Sequence, residues 1–329
     1  MSYLFAIDKG NFAIKTPNFI FPSGLMELPG KETITKIDII EFGNSIFALS
    51  SERLPYMRDK TTTDSFFVLS LFAIAKEMEY LGIDSPIEEI DLAVGLPPEH
   101  YTQQKQSMTE YYSRGKVNFV YNDRPISLII RNIYVYPQAY AAVAAQTQQI
   151  MEIPRVFVVD IGGYTTDVLL MEDGKPILNF VHSIEYGTIH MYNLIQTQIN
   201  AKYNLRIDDS HIRALLNSKR TVLSDEVKSF VLKTVEQYAS TILYKLRELH
   251  IDLRANPSIF IGGGSVLYKP YLEKSSLVVQ PKFELNPHAN AIGYHLLAAR
   301  KIQNTTGRMP QNITPFRVQT IGGVSGEDI

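Results

Sequence analysis

Residues 157–170 (FVVDIGGYTTDVLL) constrain this chain more than any other stretch. An apolar run ends in Asp160, Gly162 and Gly163 allow a tight reversal, hydroxyl residues follow, and a second apolar run resumes; this reads as strand, turn, strand. Paired glycines let a backbone approach a bulky anion and present N–H groups to it, and a carboxylate beside such a turn can hold a hydrated divalent cation. Phosphate plus metal is one inference. An ordinary hairpin with Gly-Gly at its turn is the other, and the stretch by itself does not separate them.

The unit occurs a second time near the N-terminus, where apolar residues 4–7 end in Asp8, residues 9–11 supply a turn around Gly10, and residues 12–15 resume as a strand. Helices and further strands follow each copy, so the repeat is structural. A chain of 329 residues is long enough for two domains, each burying its own core.

Between the copies, Gly43 and Asn44 separate apolar runs 37–42 and 45–49 and mark a hairpin. Thr63 and Asp64 open a helix over 65–80 that Gly82 stops. A strand over 90–94 runs into Gly95-Leu-Pro-Pro and a polar helix over 99–112, and strands over 116–121 and 125–135 flank Asn122 and Asp123. Pro137 and Gln138 open an alanine-rich helix over 139–149, with the proline where a missing N–H costs least. After the second copy come a strand over 176–183, a helix from Gly187 toward Tyr203, helices over 210–217 and 225–249, and a strand over 258–261 ending in Gly262, Gly263, Gly264 and Ser265. The last helix starts near 286–293 and reaches Ile302. Residues 304–329 read as a flexible tail in which Phe316 and Ile321 are docking candidates.

Composition narrows the function. Lys plus Arg (32) nearly balances Asp plus Glu (34), so no global basic field binds nucleic acid or membrane directly, and any contact with DNA goes through a partner. Cysteine is absent, which removes disulfides and thiolate chemistry and fits a reducing cytosol. The N-terminus lacks a basic flank and meets Asp8 early, unlike a signal peptide, and no apolar run reaches the ~20 residues of a membrane span. A cytoplasmic protein is expected. The histidines show no metal-ligand spacing, Ser265 follows three glycines instead of a nucleophile-elbow pattern, and no Gly-Lys-Ser or Gly-Lys-Thr marks a P-loop.

Taken together, DKGNFAIK at 8–15, PQAYAA at 137–142, DIGGYTTD at 160–167, GGGS at 262–265 and ANAIG at 289–293 resemble, in order, the five motifs of the actin-like ATPase superfamily. The likeness is greatest to its bacterial plasmid-segregation branch, the ParM type, which Gly95-Leu-Pro also fits. The resemblance covers roughly residues 3–302. It implies an α/β fold of duplicated actin-like (ribonuclease H-like) domains, mixed sheets flanked by helices, with nucleotide in the interdomain cleft. Domain I would span 1–153 with a small insertion subdomain at 20–62, domain II 154–303 with a helical subdomain at 187–250, and the tail 304–329.

The resemblance further implies ATP or GTP as substrate and Mg²⁺ as cofactor, held through water by Asp8 and Asp160. Phosphate contacts would come from Lys9, Gly10, Asn11, Phe12 and Lys15 in the first loop and Gly162, Gly163, Tyr164 and Thr165 in the second. Lys9, Asn11 and Phe12 depart from the small or hydroxyl residues of many relatives. Gly262, Gly263, Gly264 and Ser265 would contact the nucleoside, with Lys219 the candidate from the helical block. Gln138 would orient the attacking water, since an amide donates and accepts at once and a helix start favours an incoming nucleophile, and Asp160 would be the second catalytic residue. Asp167 is read either as a monovalent-cation ligand or as a turn cap. The implied partners are further copies of the chain, head to tail, and a DNA-binding adaptor on a centromere-like plasmid site. A small-molecule or sugar kinase lacks its sugar-gripping signature here. A chaperone-type ATPase would need a substrate domain beyond Ile302, and a pseudo-ATPase scaffold would not need Asp8, Gln138 and Asp160.

Overall fold

The computed structural model describes residues 2–30, 37–85, 87–144 and 153–312. The chain divides into two compact units: the described residues of Met1–Thr147 with Pro287–Val318, and those of Gln148–Asn286.

The first unit starts with β1 (Tyr3–Lys9), β2 (Ala13–Lys15), β3 (Ile20–Pro22), β4 (Leu25–Leu28), β5 (Ile39–Phe42) and β6 (Ser45–Leu49). It continues through α1 (Ser65–Tyr80), β7 (Ile87–Leu96), a short 3₁₀ turn, α2 (Tyr101–Tyr112), β8 (Lys116–Tyr121), β9 (Arg124–Pro137) and α3 (Tyr140–Val143). One nine-stranded sheet results, ordered β3-β2-β1-β7-β9-β8-β5-β6-β4. From Leu4 onward β1 is buried, as a strand covered on both faces must be. Its alternate residues serve two cores. Phe5 and Ile7 join α1, whose residues 66–75 are buried all round, while Leu4 and Ala6 face the opposite way. The β8–β9 turn places Asn122 and Asp123 at φ 47° and 64°, the left-handed pair that a two-residue hairpin asks for.

The second unit contains β10 (Arg155–Ile161), β11 (Thr166–Glu172), β12 (Lys175–Ile184), α4 (Thr188–Tyr203), α5 (Asp209–Leu216), α6 (Asp225–Glu248), β13 (Ser258–Ile261), α7 (Gly263–Leu272) and β14 (Lys282–Phe283). Its sheet runs β12-β11-β10-β13-β14. Antiparallel pairing holds within β12-β11-β10 and parallel pairing from β10 to β13 to β14. The β3-β2-β1-β7-β9 portion of the first sheet has the same order and the same directions. The repeat inferred from two aspartates is therefore a repeat of a whole five-stranded layout, and strands β4, β5, β6 and β8 extend the first copy only.

The last helix, α8 (Ala289–Thr306), lies in the first unit, whereas its motif position suggested domain II. Tyr294, Ala298, Ala299 and Ile302 cover Leu4, Ala6 and Ala93, and those small residues let the helix sit close to the strands. At Gly293 a Cβ would lie 1.8 Å from the Ala141 carbonyl oxygen, so only glycine permits the α3–α8 approach. The helix runs four residues past the expected end, to Gly307 at φ 69°. Asn312 then pairs its amide with both backbone groups of Leu4, so at least this part of the expected tail is fastened to β1.

Three further expectations are corrected. Pro137 ends β9 instead of opening a helix. The helix expected over 139–149 begins at Tyr140, and its part beyond residue 144 lies outside the described residues, as do Phe316 and Ile321. Residues 263–272 form α7, which three leading glycines and Pro270 concealed in the sequence.

Candidate nucleotide half-sites

Each unit carries the same turn. In the first, the Gly10 N–H donates to the Ala13 carbonyl at 3.1 Å, and Asp8 pairs across β1–β2 with Lys15. In the second, the Gly162 N–H donates to the Thr165 carbonyl at 2.8 Å, and Asp160 pairs across β10–β11 with Asp167. In both, the donor lies two residues after the aspartate, the acceptor five and the cross-strand partner seven.

Asp8 is buried at 2% exposure and is engaged twice. Lys15 Nζ lies 3.5 Å from Oδ2, and Gln138 Nε2 donates to Oδ1 at 2.9 Å. A carboxylate only accepts, so the nitrogen end of the Gln138 amide must face it and the amide oxygen is left to accept from another donor. Gln138 is held by a strained turn. Its N–H continues the β7 ladder by donating to Leu96, and its carbonyl accepts from Tyr140 at 2.6 Å across Ala139. Ala139 is consequently a γ-turn centre at φ 62°, ψ −55°, a conformation that costs energy in a residue bearing a Cβ. The buried Ala139 N–H is satisfied by Asn290 Oδ1 at 3.1 Å, so α8 steadies this turn. The helix-start argument for Gln138 does not hold in the described structure: Gln138 precedes α3, and β9 together with this turn sets its position.

Other residues expected in the first loop point elsewhere. The Lys9 side chain is buried, with Nζ 2.9 Å from Met108 Sδ and 4.6 Å from the Tyr112 ring centre. Burial holds its ammonium well below the usual lysine range, and Lys60 adds to the effect. The Asn11 amide pairs with both backbone groups of Met57, at 3.1 and 3.2 Å. The Phe12 ring lies 3.8 Å from the Arg53 guanidinium carbon. What these residues can still offer an anion is backbone.

In the second loop the Gly162 and Gly163 carbonyls accept from Thr188 and Ile189, the first N–H groups of α4, at 3.0 and 2.8 Å. Gly187 makes this approach possible, because a Cβ there would lie 2.3 Å from the Gly163 oxygen. Thr165 Oγ1 donates to Asp167 Oδ2 at 2.9 Å, a contact that suits the turn-cap reading, and the Tyr164 ring meets His190 edge-on.

Gly262, at φ 84°, turns β13 into α7 beside Asp160: a Cβ there would lie 2.3 Å from Asp160 Oδ1. Gly264 packs on Ile161, Gly263 faces open space, and buried Ser265 donates through Oγ to the Ile261 carbonyl. Asp160, the 162–165 loop and the 262–265 turn therefore come together. Lys219 is exposed, and its N–H closes the turn after α5 by donating to Ala214. Sequence reasoning had no means of finding Ser23 and Lys60, which touch the first loop through backbone atoms, whereas Asn290 falls within the ANAIG motif although its bond to the Ala139 N–H was not legible there.

Among the described residues, no three His, Asp or Glu side chains form a group that could hold a metal ion. Mg²⁺ fits this donor set because it keeps most of its water and commonly takes one or two carboxylates plus substrate phosphates. With Lys15 and Gln138 already on the Asp8 oxygens, a hold through water suits that carboxylate. Among the described residues no helix is long and apolar enough to cross a membrane.

The comparisons with known proteins agree with the fold. A family model for the N-terminal domain of actin-like proteins matches residues 6–140, and one for the archaeal MreB-like actin homologue, C-terminal, matches residues 158–274. No curated protein sequence matches significantly. Among solved structures, the archaeal actin homologue Ta0583 is similar at TM-score 0.74 and 19% identity, over 91% of this chain and 99% of that one. A 15-stranded ParM filament from Clostridium botulinum is similar at 0.69 and 21%, over 91% and 99%. Bacillus thuringiensis ParM with ATP is similar at 0.61 and 14%, over 92% and 99%. With one actin-like model on each unit, a five-stranded layout present twice, and likeness to actin homologues along nearly their full length, this chain belongs to the actin-like proteins.

Proposed function

We propose that the chain is a nucleoside triphosphatase of the plasmid-segregation, ParM type. It assembles head to tail with ATP or GTP and Mg²⁺ bound, and hydrolysis destabilises the polymer. A DNA-binding adaptor on a centromere-like plasmid site links the polymer to its cargo. The observation that carries the reading is the Gln138 amide fixed on Asp8 at 2.9 Å, beside Lys15, on one of two matching anion-type turns. The filament and the ATP complex among the similar structures support it, as properties of those proteins.

Hydrolysis of a phosphoanhydride requires positioning and charge stabilisation more than covalent chemistry. Asp8 orients Gln138 so that the amide oxygen accepts from the attacking water, whose oxygen bonds to the γ-phosphorus as the bridging bond to the β-phosphate breaks. Lys15 places a cation beside Asp8, and the turns after Asp8 and Asp160 offer backbone N–H groups to phosphate oxygens. Mg²⁺, when bound, offsets the phosphate charge. Gly262 to Ser265 place the start of α7 at Asp160, where the nucleoside is proposed to rest, and Lys219 remains a candidate base contact. A polymer follows from a heterologous contact that does not close into a ring.

Purified chain mixed with ATP or GTP and Mg²⁺ is followed by light scattering, negative-stain imaging and phosphate release. Polymer and release together are expected, with Gln138→Ala and Asp160→Ala slowing release and lengthening filament lifetime. Absence of polymer over a wide range of concentration and salt would remove the filament from the reading. Turnover in both variants equal to the parent's would remove those two residues.

A further inference from the structure

The first loop differs from the second in what holds its carbonyls. A loop that receives an anion must turn its C=O dipoles away and leave its N–H groups forward. In the second loop backbone does this: Thr188 and Ile189 at the start of α4 hold the Gly162 and Gly163 carbonyls. Among the described residues no helix start reaches the first loop's carbonyls. Instead Lys60 Nζ donates to the Lys9 carbonyl and Ser23 Oγ to the Gly10 carbonyl at 2.5 Å. Asn11 is tied behind the loop through Met57, and the Lys9 side chain is anchored against Met108 and Tyr112. Among the described residues, no acceptor is found for the N–H groups of Asn11 and Phe12.

Resting on the reading above, we propose that Lys60 and Ser23 are positioning residues for nucleotide binding: they hold the Lys9 and Gly10 carbonyls back so that the Asn11 and Phe12 N–H groups face the phosphates. Both lie outside the five motifs and act through backbone. Lys60 comes from the segment between β6 and α1, and Ser23 from the β3–β4 turn, so side chains of connecting segments hold in the first unit the loop that the second unit holds with a helix start. Without Lys60 the Lys9 carbonyl loses its donor, only the Gly10 N–H bond to Ala13 restrains that peptide, and a cation is removed from the neighbourhood of the anion.

The test is binding of fluorescent ATP and GTP with Mg²⁺ to full-length parent, Lys60→Met, Lys60→Arg and Ser23→Ala, with thermal unfolding of each nucleotide-free protein. A charge-assisted hydrogen bond is worth enough for its loss to weaken binding by about tenfold or more. Lys60→Met is expected to raise Kd by that factor, Lys60→Arg to recover most of it, and both to unfold near the parent's temperature. Ser23→Ala, which deletes one oxygen, is expected to raise Kd by about threefold or more, and it decides the matter if Lys60→Met does not fold. A parent that binds while folded Lys60→Met and Ser23→Ala bind within twofold of it overturns this inference and leaves the proposed function standing. A parent that binds neither nucleotide overturns the proposed function and this inference with it.

Discussion

Replacing Gly262 with alanine adds one methyl group at a defined place. The new Cβ would lie 2.3 Å from Asp160 Oδ1 and 2.7 Å from the Ile161 carbonyl oxygen, where ordinary contact begins near 3.4 Å. The Ile161 carbonyl is part of the backbone and yields little, so the Asp160 carboxylate must move by about 1 Å. The residue also has φ 84° and ψ 167°, a region that essentially only glycine occupies, at about 1–3 kcal/mol for any other. Strain and collision together cost about 2–5 kcal/mol of stability. Displacing a positioning group by 1 Å costs roughly a hundredfold in rate, so phosphate release with saturating nucleotide is expected to fall by that order. Gly82→Ala is the control, because Gly82 has φ 65° with nothing within 4 Å of its would-be Cβ; it carries backbone strain of about 1 kcal/mol without any collision. It is expected to lose a little stability and no activity. Folded Gly262→Ala turning over within threefold of the parent would refute the role of Asp160, and an equal loss in Gly82→Ala would refute the collision as the cause.

Three further outcomes follow from packing and protonation. Gly293→Ala sets a Cβ 1.8 Å from the Ala141 oxygen and 2.3 Å from its carbonyl carbon, and is expected to cost about 3 kcal/mol in denaturant unfolding; a loss below about 1 kcal/mol would show that α3 and α8 separate easily. Burial pushes the His295 imidazole down to about 4 from an ordinary 6.5. The unfolded chain therefore takes up this proton first as pH falls, and stability drops between about pH 6.5 and 4 by about 3 kcal/mol; His295→Gln should flatten that slope in urea unfolding, and an unchanged slope would refute the assignment. Asn312→Ala removes the 2.9 and 2.7 Å bonds to Leu4, at about 1–2 kcal/mol locally, so the Leu4 amide should exchange faster with deuterium, and an unchanged rate would mean that the contact does not protect this edge.

The sequence by itself determined the local units: two apolar runs broken by aspartate and glycine, helices between their stop signals, and the Asn122–Asp123 turn. Each depends on residues a few positions apart, where periodicity and backbone freedom leave a readable pattern. That was enough to read the duplication with its aspartates Asp8 and Asp160, while Lys15 and Gln138 were marked by the resemblance of the ordered motifs to the actin-like superfamily. Only the tertiary structure decided how those units are completed. Lys9 reads as a loop cation until α2 closes over it, and Gln138 reads as a helix start until Asn290, 152 positions away along the chain, helps hold a strained turn behind it. The last helix follows the second unit in the chain yet joins the first, because Ala6, Ala93 and Gly293 leave a surface it can approach closely. Lys60 and Ser23 contact the first loop through carbonyls that every residue possesses, so their choice left no mark in residue type or spacing; the path of the intervening chain alone brought them there.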